Sequence, residues 1–369
     1  MNYLFFLVHP SKYHLFKNVI NKLIASGNRV NLLIISKGGL EDLVKYENWN
    51  YLNIFPQGRR IKGLNTLLSS GIYAFATIYK LLKYTRNKKY DLYVTDDLLT
   101  IVGRIRNVPT IFCTDDDINA VPESFILMSS ANYILSPWIT FVGRYEKIKI
   151  GYYGYKSLAH LHPNQFTPDR QKLSQIFKPE EDYFFIRCVS VTSTHDVGKK
   201  GISDLLLLTI VRFLLNYGKV IINSERVLPD ELNQYKIEFE NGLIAHYLAF
   251  AKIFIGDSTT MCAEAAVLGT PAIEIDDWFA DFNQYKLFNE KYELIYGFKP
   301  DDQENMFAKL NELISDKALE DKCKKNRQEL IEDSIDVSSF IFRILSEYPH
   351  SVEEYFNGKE KQKNITGRI

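Results

Sequence analysis

The chain has 369 residues, of which 46% are hydrophobic and 24% charged, and its 45 Lys and Arg balance its 45 Asp and Glu. That length predicts two domains, and the composition excludes a disordered chain. Zero net charge leaves no overall field to hold nucleic acid, so none is expected as a partner.

At the N-terminus, Tyr3–Val8 is apolar but short, with neither a basic leader nor a small-residue cleavage site, which predicts a buried first strand. A helix is predicted over Tyr13–Ser26, capped by Gly27, and then a strand over Val30–Ile35. Residues 59–89 carry Arg59, Arg60, Lys62, Lys80, Lys83, Arg86, Lys88 and Lys89 around an apolar stretch, with no acidic residue. Such a helix either packs on the sheet or rests on anionic lipid, and both readings stay open. Leu92–Thr95 and Thr110–Cys113 read as buried strands, each followed by an acidic loop. The pattern restarts with strands at Tyr183–Val191, Val220–Ile222, Ile253–Ile255 and Ala272–Ile275. Helices are expected over Ser203–Asn216, Asn241–Ala251 and Met261–Leu268.

Apolar runs alternating with amphipathic ones are the pattern of βαβ units and parallel sheets. The expected fold is α/β, with two Rossmann-like doubly wound domains facing each other across a cleft. The expected boundaries are an N-terminal domain over 1–150, a linker over 151–180, a C-terminal domain over 181–345, and an extension and tail over 346–369. The linker is read from its Gly, Pro and aromatic content, including Gly151, Tyr152, Tyr153 and Gly154. The apolar run Leu205 to Leu215, broken by Thr209 and Arg212, is too short to span a membrane. Cys113, Cys188, Cys262 and Cys323 form no CxxC pair, which points to a reducing compartment and no structural zinc. A cytoplasmic protein is expected, peripheral at most to the inner face of the membrane.

The most informative segment runs from Ile253 to Pro271. An apolar strand ends in Gly256, the small hydroxyl residues Ser258, Thr259 and Thr260 follow, and a helix then carries Glu264. Unpaired N–H groups and the helix dipole favour an anion at such a turn, and a carboxylate further along can accept from ribose hydroxyls. A Ser or Thr here also serves as an ordinary helix cap. After the strand at Tyr183 comes Thr192-Ser193-Thr194-His195-Asp196-Val197-Gly198-Lys199-Lys200-Gly201. Here His195 can titrate near neutrality and Lys199 can neutralise a diphosphate, or the segment is a solvated basic turn. In the first half, Asp96-Asp97 and Asp115-Asp116-Asp117 sit at strand ends, where mutual repulsion makes a general acid or base available. Adjacent aspartates diverge, so no metal is expected.

These residues resemble the GT-B superfamily of nucleotide-sugar enzymes, the GT-B glycosyltransferases and the non-hydrolysing UDP-N-acetylglucosamine 2-epimerases. The epimerases carry Asp-Ser-Gly-Gly with a Glu six residues after the Ser, and this chain has Asp257-Ser258-Thr259-Thr260 and Glu264. The resemblance implies phosphate binding by Ser258 and ribose binding by Glu264. It also implies acid–base roles for His195, for Asp96, and for Glu123, which follows Pro122 as in the epimerases' catalytic loop. The family's Thr-x-His-Arg has Asp196 in place of Arg. Its Gly-Thr-Arg-Pro-Glu is Val8-His9-Pro10-Ser11-Lys12, with His9 for Arg, and its later Thr-x-Arg-Pro-Glu is replaced by Asp276-Asp277-Trp278-Phe279. Gly154-Tyr155-Lys156, Pro163, Pro168-Asp169, His195-Asp196 and the segment from Gly256 to Pro271 resemble a family known only as domain of unknown function 354.

The leading expectation is a GT-B glycosyltransferase that moves a sugar from a nucleotide, UDP by the resemblance, to a glycan or lipid-linked acceptor of a surface polysaccharide pathway. His9, the loop Asp115–Asp117 or Glu123 then serves as base, and the nucleotide-sugar is substrate, with no cofactor. An epimerase using Asp96, Glu123 and His195, or a non-catalytic nucleotide-sugar-binding scaffold, are the alternatives.

Overall fold

The computed structural model describes residues 1–59, 66–174, 176–178, 181–189, 201–239, 242–277, 279 and 283–358. His195 and Lys199 lie outside them. The chain forms two compact units, Met1–His160 together with the segment that returns from Ile335, and Leu161–Ser334.

The first unit runs β1 (Asn2–Leu7), α1 (Pro10–Ala25), β2 (Arg29–Ile35), α2 (Leu40–Tyr46), β3 (Tyr51–Phe55), α3 (Thr66–Thr85) and β4 (Leu92–Thr95). It continues with α4 (Leu99–Arg106), β5 (Thr110–Cys113), α5 (Ser124–Ser130), β6 (Tyr133–Pro137) and β7 (Lys149–Tyr152). Its seven strands form one sheet in the order β3-β2-β1-β4-β5-β6-β7, with every pairing parallel. Tyr3 to Leu7 are fully buried, as a central strand covered on both faces requires. Helix α1 is started by His9, whose side chain accepts from the Ser11 N–H, and by Pro10 at the first turn. It buries Tyr13, Phe16, Val19, Ile20 and Leu23, the helical period of a face laid on a sheet.

The short helix α6 (Leu158–Leu161) precedes the second unit, which runs β8 (Tyr183–Cys188), α7 (Asp204–Leu214), β9 (Lys219–Ser224), α8 (Ile244–Ala249), β10 (Ile253–Gly256) and α9 (Thr259–Leu268). It ends with β11 (Ala272–Ile275), α10 (Asn283–Glu290), β12 (Ile295–Phe298), α11 (Gln303–Ser315) and α12 (Leu319–Glu332). The sheet order is β12-β11-β10-β8-β9, again all parallel. Two parallel-sheet, Rossmann-like α/β domains are thus present.

Several expectations need correction. Gly151 and Tyr152 belong to edge strand β7, paired with β6 at Ser136 and Pro137, so the linker does not begin at 151. A four-residue strand containing Gly and Lys shows too little period to be seen in sequence. The second domain ends at Ser334 rather than 345, because α13 (Val337–Ser346) and α14 (His350–Asn357) pack on the first. The Tyr3 hydroxyl donates to the Leu345 carbonyl at 2.7 Å, the Ser338 hydroxyl to the Ala159 carbonyl at 2.6 Å, and the Gly151 N–H to the Tyr355 hydroxyl at 2.8 Å. Strands β3, β6, β7 and β12 lie outside the expected ones, and the helix expected over Asn241–Ala251 spans only Ile244–Ala249. Among the described residues, no helix is long and apolar enough to cross a membrane.

Candidate functional site

In each sheet, one point exists where the strand order reverses, and ligands of open α/β sheets bind outside the carboxyl ends of the strands there. In the first domain this point lies between β1 and β4, and in the second between β8 and β10.

Beyond β1 and β4 stand His9, Lys12 and Asp96, with Asp115 past the neighbouring β5. Lys12 and Asp115 are both largely buried and paired at 2.6 Å, and Lys156 meets the other Asp115 oxygen at 2.6 Å. Burial alone would raise the Asp115 carboxyl, but the two lysines outweigh it and hold Asp115 well below the usual carboxylate range. Asp115 is therefore a fixed anion rather than a base. Asp117 accepts from the Phe141 N–H and so pins a loop. Asp96 behaves oppositely. It accepts from the Val8 N–H at 3.3 Å, and burial, with the neighbouring Asp97 charge, pushes it up to about 7 against the pull of Lys12. Repulsion between aspartates, the cause expected from sequence, is secondary to desolvation. Asp97 is itself paired with Arg59 at 2.8 Å.

His9 keeps an exposed edge although the strand ends crowd it. That crowding, then the charges of Lys37, Lys156 and Lys12, holds its imidazole well below its ordinary value, so it is neutral and a weak proton acceptor at neutral pH. Its Nδ1 is also engaged with Ser11, as the helix cap. Glu123 is exposed at the start of α5 and has no described contact to this cluster. Lys12 and Lys156 are the residues that sequence reasoning missed. Only their place beyond a strand or in Gly154-Tyr155-Lys156 was visible.

At the second switch point, β10 ends in Gly256, where a Cβ would meet the Arg187 carbonyl oxygen at 3.1 Å and the Phe254 ring at 3.1 Å. Ser258 adopts an extended backbone as N-cap of α9, yet its side chain makes no cap hydrogen bond. The simple capping role is thus not the one its hydroxyl plays. Thr259 and Thr260 are half-buried in the first turn, with the Thr259 hydroxyl beside the Glu274 carboxyl. Glu264 lies further along the same helix, 7% exposed. Gly269 closes α9 with φ 91°, a left-handed C-cap favouring glycine.

Asp257 joins the two strand ends. Its carboxylate accepts from the Val189 N–H at 2.8 Å and from the Ile202 N–H at 3.2 Å, the two stems of the segment containing His195 and Lys199. Arg226 grips the second stem through the Ile202 carbonyl at 2.6 Å and also pairs with Asp204. A Cβ on Gly201 would come within 2.5 Å of Asp257 Oδ2, so glycine is needed for this approach. Burial raises Asp257 to about 6, with the two N–H bonds and Arg226 opposing. On β11 beside Gly256, Glu274 is fully buried, and burial with the Asp276 charge pushes its carboxyl well above its ordinary value. Among the described residues, no group of three or more His, Cys, Asp or Glu is placed to hold a metal ion.

No family model matches the sequence, and no curated protein does. Solved structures do. The chain is similar to the S. aureus MnaA–UDP complex with TM-score 0.64 and 11% identity, covering 97% of each chain. It is similar to a Listeria monocytogenes protein assigned as a UDP-N-acetylglucosamine 2-epimerase, with TM-score 0.65, 10% identity, and 95% of this chain and 98% of that one. The glycosyltransferase of kitacinnamycin matches with TM-score 0.61 and 14% identity, over 93% of this chain and 98% of that chain. The shared property is the two-domain GT-B fold. The resemblance to family 354 stands on the sequence motifs alone.

Proposed function

We propose that this protein is a GT-B glycosyltransferase that takes a sugar from a nucleotide, UDP being the first candidate, for surface polysaccharide or glycan synthesis. The observation carrying it is the placement of both sets of polar groups at the two switch points, on a fold shared with glycosyltransferases and a UDP complex. In the second domain, the N–H groups opening α9 and the hydroxyls of Ser258, Thr259 and Thr260 receive the diphosphate and Glu264 takes the ribose hydroxyls, with Lys199 proposed to neutralise the diphosphate and His195 to act as an acid–base group. In the first domain, Asp96 is the base. It accepts the proton of the acceptor hydroxyl as that oxygen bonds to the anomeric carbon, while the bond from that carbon to the phosphate oxygen breaks. The nucleoside diphosphate leaves with its charge met by the helix terminus. Asp96 displaces His9, Asp115 and Glu123 as base, because His9 is a weak acceptor, Asp115 is held ionised by two lysines, and Glu123 is exposed. The acceptor is a glycan or a lipid-linked sugar.

A second reading is a UDP-N-acetylglucosamine 2-epimerase. Asp96, poised near neutrality, also suits proton transfer at a sugar carbon, and the Listeria neighbour favours it. Thermal shift with a panel of nucleotide-sugars tests the shared premise, and no shift with any member ends both readings. NMR of UDP-N-acetylglucosamine incubated alone separates them, since only an epimerase alters it without an acceptor.

A further inference from the structure

Helix α3 packs on the first sheet by one side. Leu81 is fully buried there, and Phe55 and Tyr73 meet edge to face at 5.5 Å. Among the described residues, nothing covers the opposite side. Ile72, Phe75 and Tyr79 are 48, 79 and 67% exposed. With Lys83, and Arg86 just beyond the helix end, they fall within about 80° of the helix circumference. The stripe is apolar in its first half and basic in its second. The next helices continue it. Helix α4 packs beside α3 and exposes Ile105, and α5 packs beside α4 and exposes Phe125 and Ile126. Arg106 reaches back to the Leu82 carbonyl at 2.8 Å, Arg104 to the Ser129 carbonyl at 3.1 Å, and Arg144 lies over the Phe125 ring at 4.4 Å. None of the three helices contains an Asp or a Glu.

We infer that this α3–α4–α5 face is a docking surface for an anionic lipid bilayer, with Phe75 and Tyr79 entering the headgroup boundary and Lys83 and Arg86 meeting lipid phosphates. Charge selects this occupant. Two copies of a face on which the Lys and Arg side chains outnumber the exposed Glu123 at the start of α5 repel each other, whereas an anionic surface is complementary to it and an interface accepts exposed aromatic rings. The structure also narrows the basic set. Arg59 turns inward to Asp97, and Lys80 donates to the Ile54 carbonyl at 2.6 Å over the Phe55 ring, so neither belongs to it. The inference deepens the proposed use of a lipid-linked acceptor but needs no catalysis.

The test is vesicle flotation of the full chain without nucleotide or acceptor. Phosphatidylcholine vesicles with and without phosphatidylglycerol are compared at low and high salt. Binding is expected only to the anionic vesicles and should fall as salt rises. Lys83→Glu with Arg86→Glu should weaken it by about tenfold or more, at roughly one basic contact each. Phe75→Ser with Tyr79→Ser should also weaken it, with circular dichroism and melting unchanged because both side chains are exposed. Absence of flotation at low salt overturns the inference. So does flotation indifferent to both variants, or a wild-type dimer in light scattering that Phe75→Ser turns into monomer. None of these outcomes bears on nucleotide binding, and loss of transferase activity does not bear on flotation.

Discussion

Asp96 and Asp115 stand at the ends of neighbouring strands, yet their environments drive them apart. Two lysine contacts hold Asp115 ionised, while burial pushes Asp96 from 3.8 up to about 7. If Asp96 is the base, turnover climbs as pH rises through about 7. Asp96→Asn should lose that limb and roughly 10²-fold or more in rate while binding nucleotide normally. Because the folded protein holds the Asp96 proton more tightly, the Asp96 contribution to stability falls as pH rises from 3.8 through about 7. Asp257, raised to about 6, adds to that fall and His9, held below its ordinary value, opposes it, so urea titrations of wild type and Asp96→Asn should differ by an amount that shifts in favour of the variant as pH rises over this window. Glu264→Ala should weaken UDP binding by about 1.5–3 kcal/mol, the usual worth of a charge-assisted hydrogen bond. Unchanged affinity by calorimetry in a folded variant would remove Glu264 from the ribose site.

Among elements, β10 and its turn carry two duties. Gly256 and Ser258 shape the entrance to α9, and Asp257 between them ties down both stems of the His195 segment. Gly201→Ala is therefore expected to act at a distance from any ligand. Its methyl group displaces the Asp257 carboxylate, and both nucleotide affinity and turnover should drop together. His195→Ala, by contrast, should keep affinity within a few fold and lose turnover, as an acid–base group does. Calorimetry alongside initial rates separates these patterns. If Gly201→Ala leaves both values untouched, Asp257 does not position the segment.

Across the whole molecule, the chain leaves its first domain near Ala159 and comes back at Ile335, where the Ile335 N–H donates to the Tyr153 carbonyl at 2.9 Å. The last helices are thus part of the first core, with Ile341 fully buried. Ile341→Ala should cost about 2–5 kcal/mol of first-domain stability, the usual range for a buried Ile cut back to Ala. UDP should still bind the second domain with wild-type affinity. Calorimetric scans with and without UDP check this, since the ligand should raise only the transition that the mutation leaves in place.

The two α/β halves were legible in the residue order, because fully buried parallel strands such as Tyr3–Leu7 need unbroken apolar runs and their helices need a 3.6-residue period. That order also marked the turn from Gly256 to Glu264, whose small and hydroxyl residues follow from local backbone demands. Strands β7 and β12 left little trace, since four residues at a sheet edge show no usable period. Which strand ends are neighbours follows from the folded arrangement alone. Hence it alone gave Lys12 and Lys156 to Asp115, set Asp96 apart from the other aspartates, and showed that Asp257 spans β8 and β10. It alone returned α13 and α14 to the first domain. Side-chain pairing and desolvation depend on residues far apart in the chain, and local pattern carries no record of that distance.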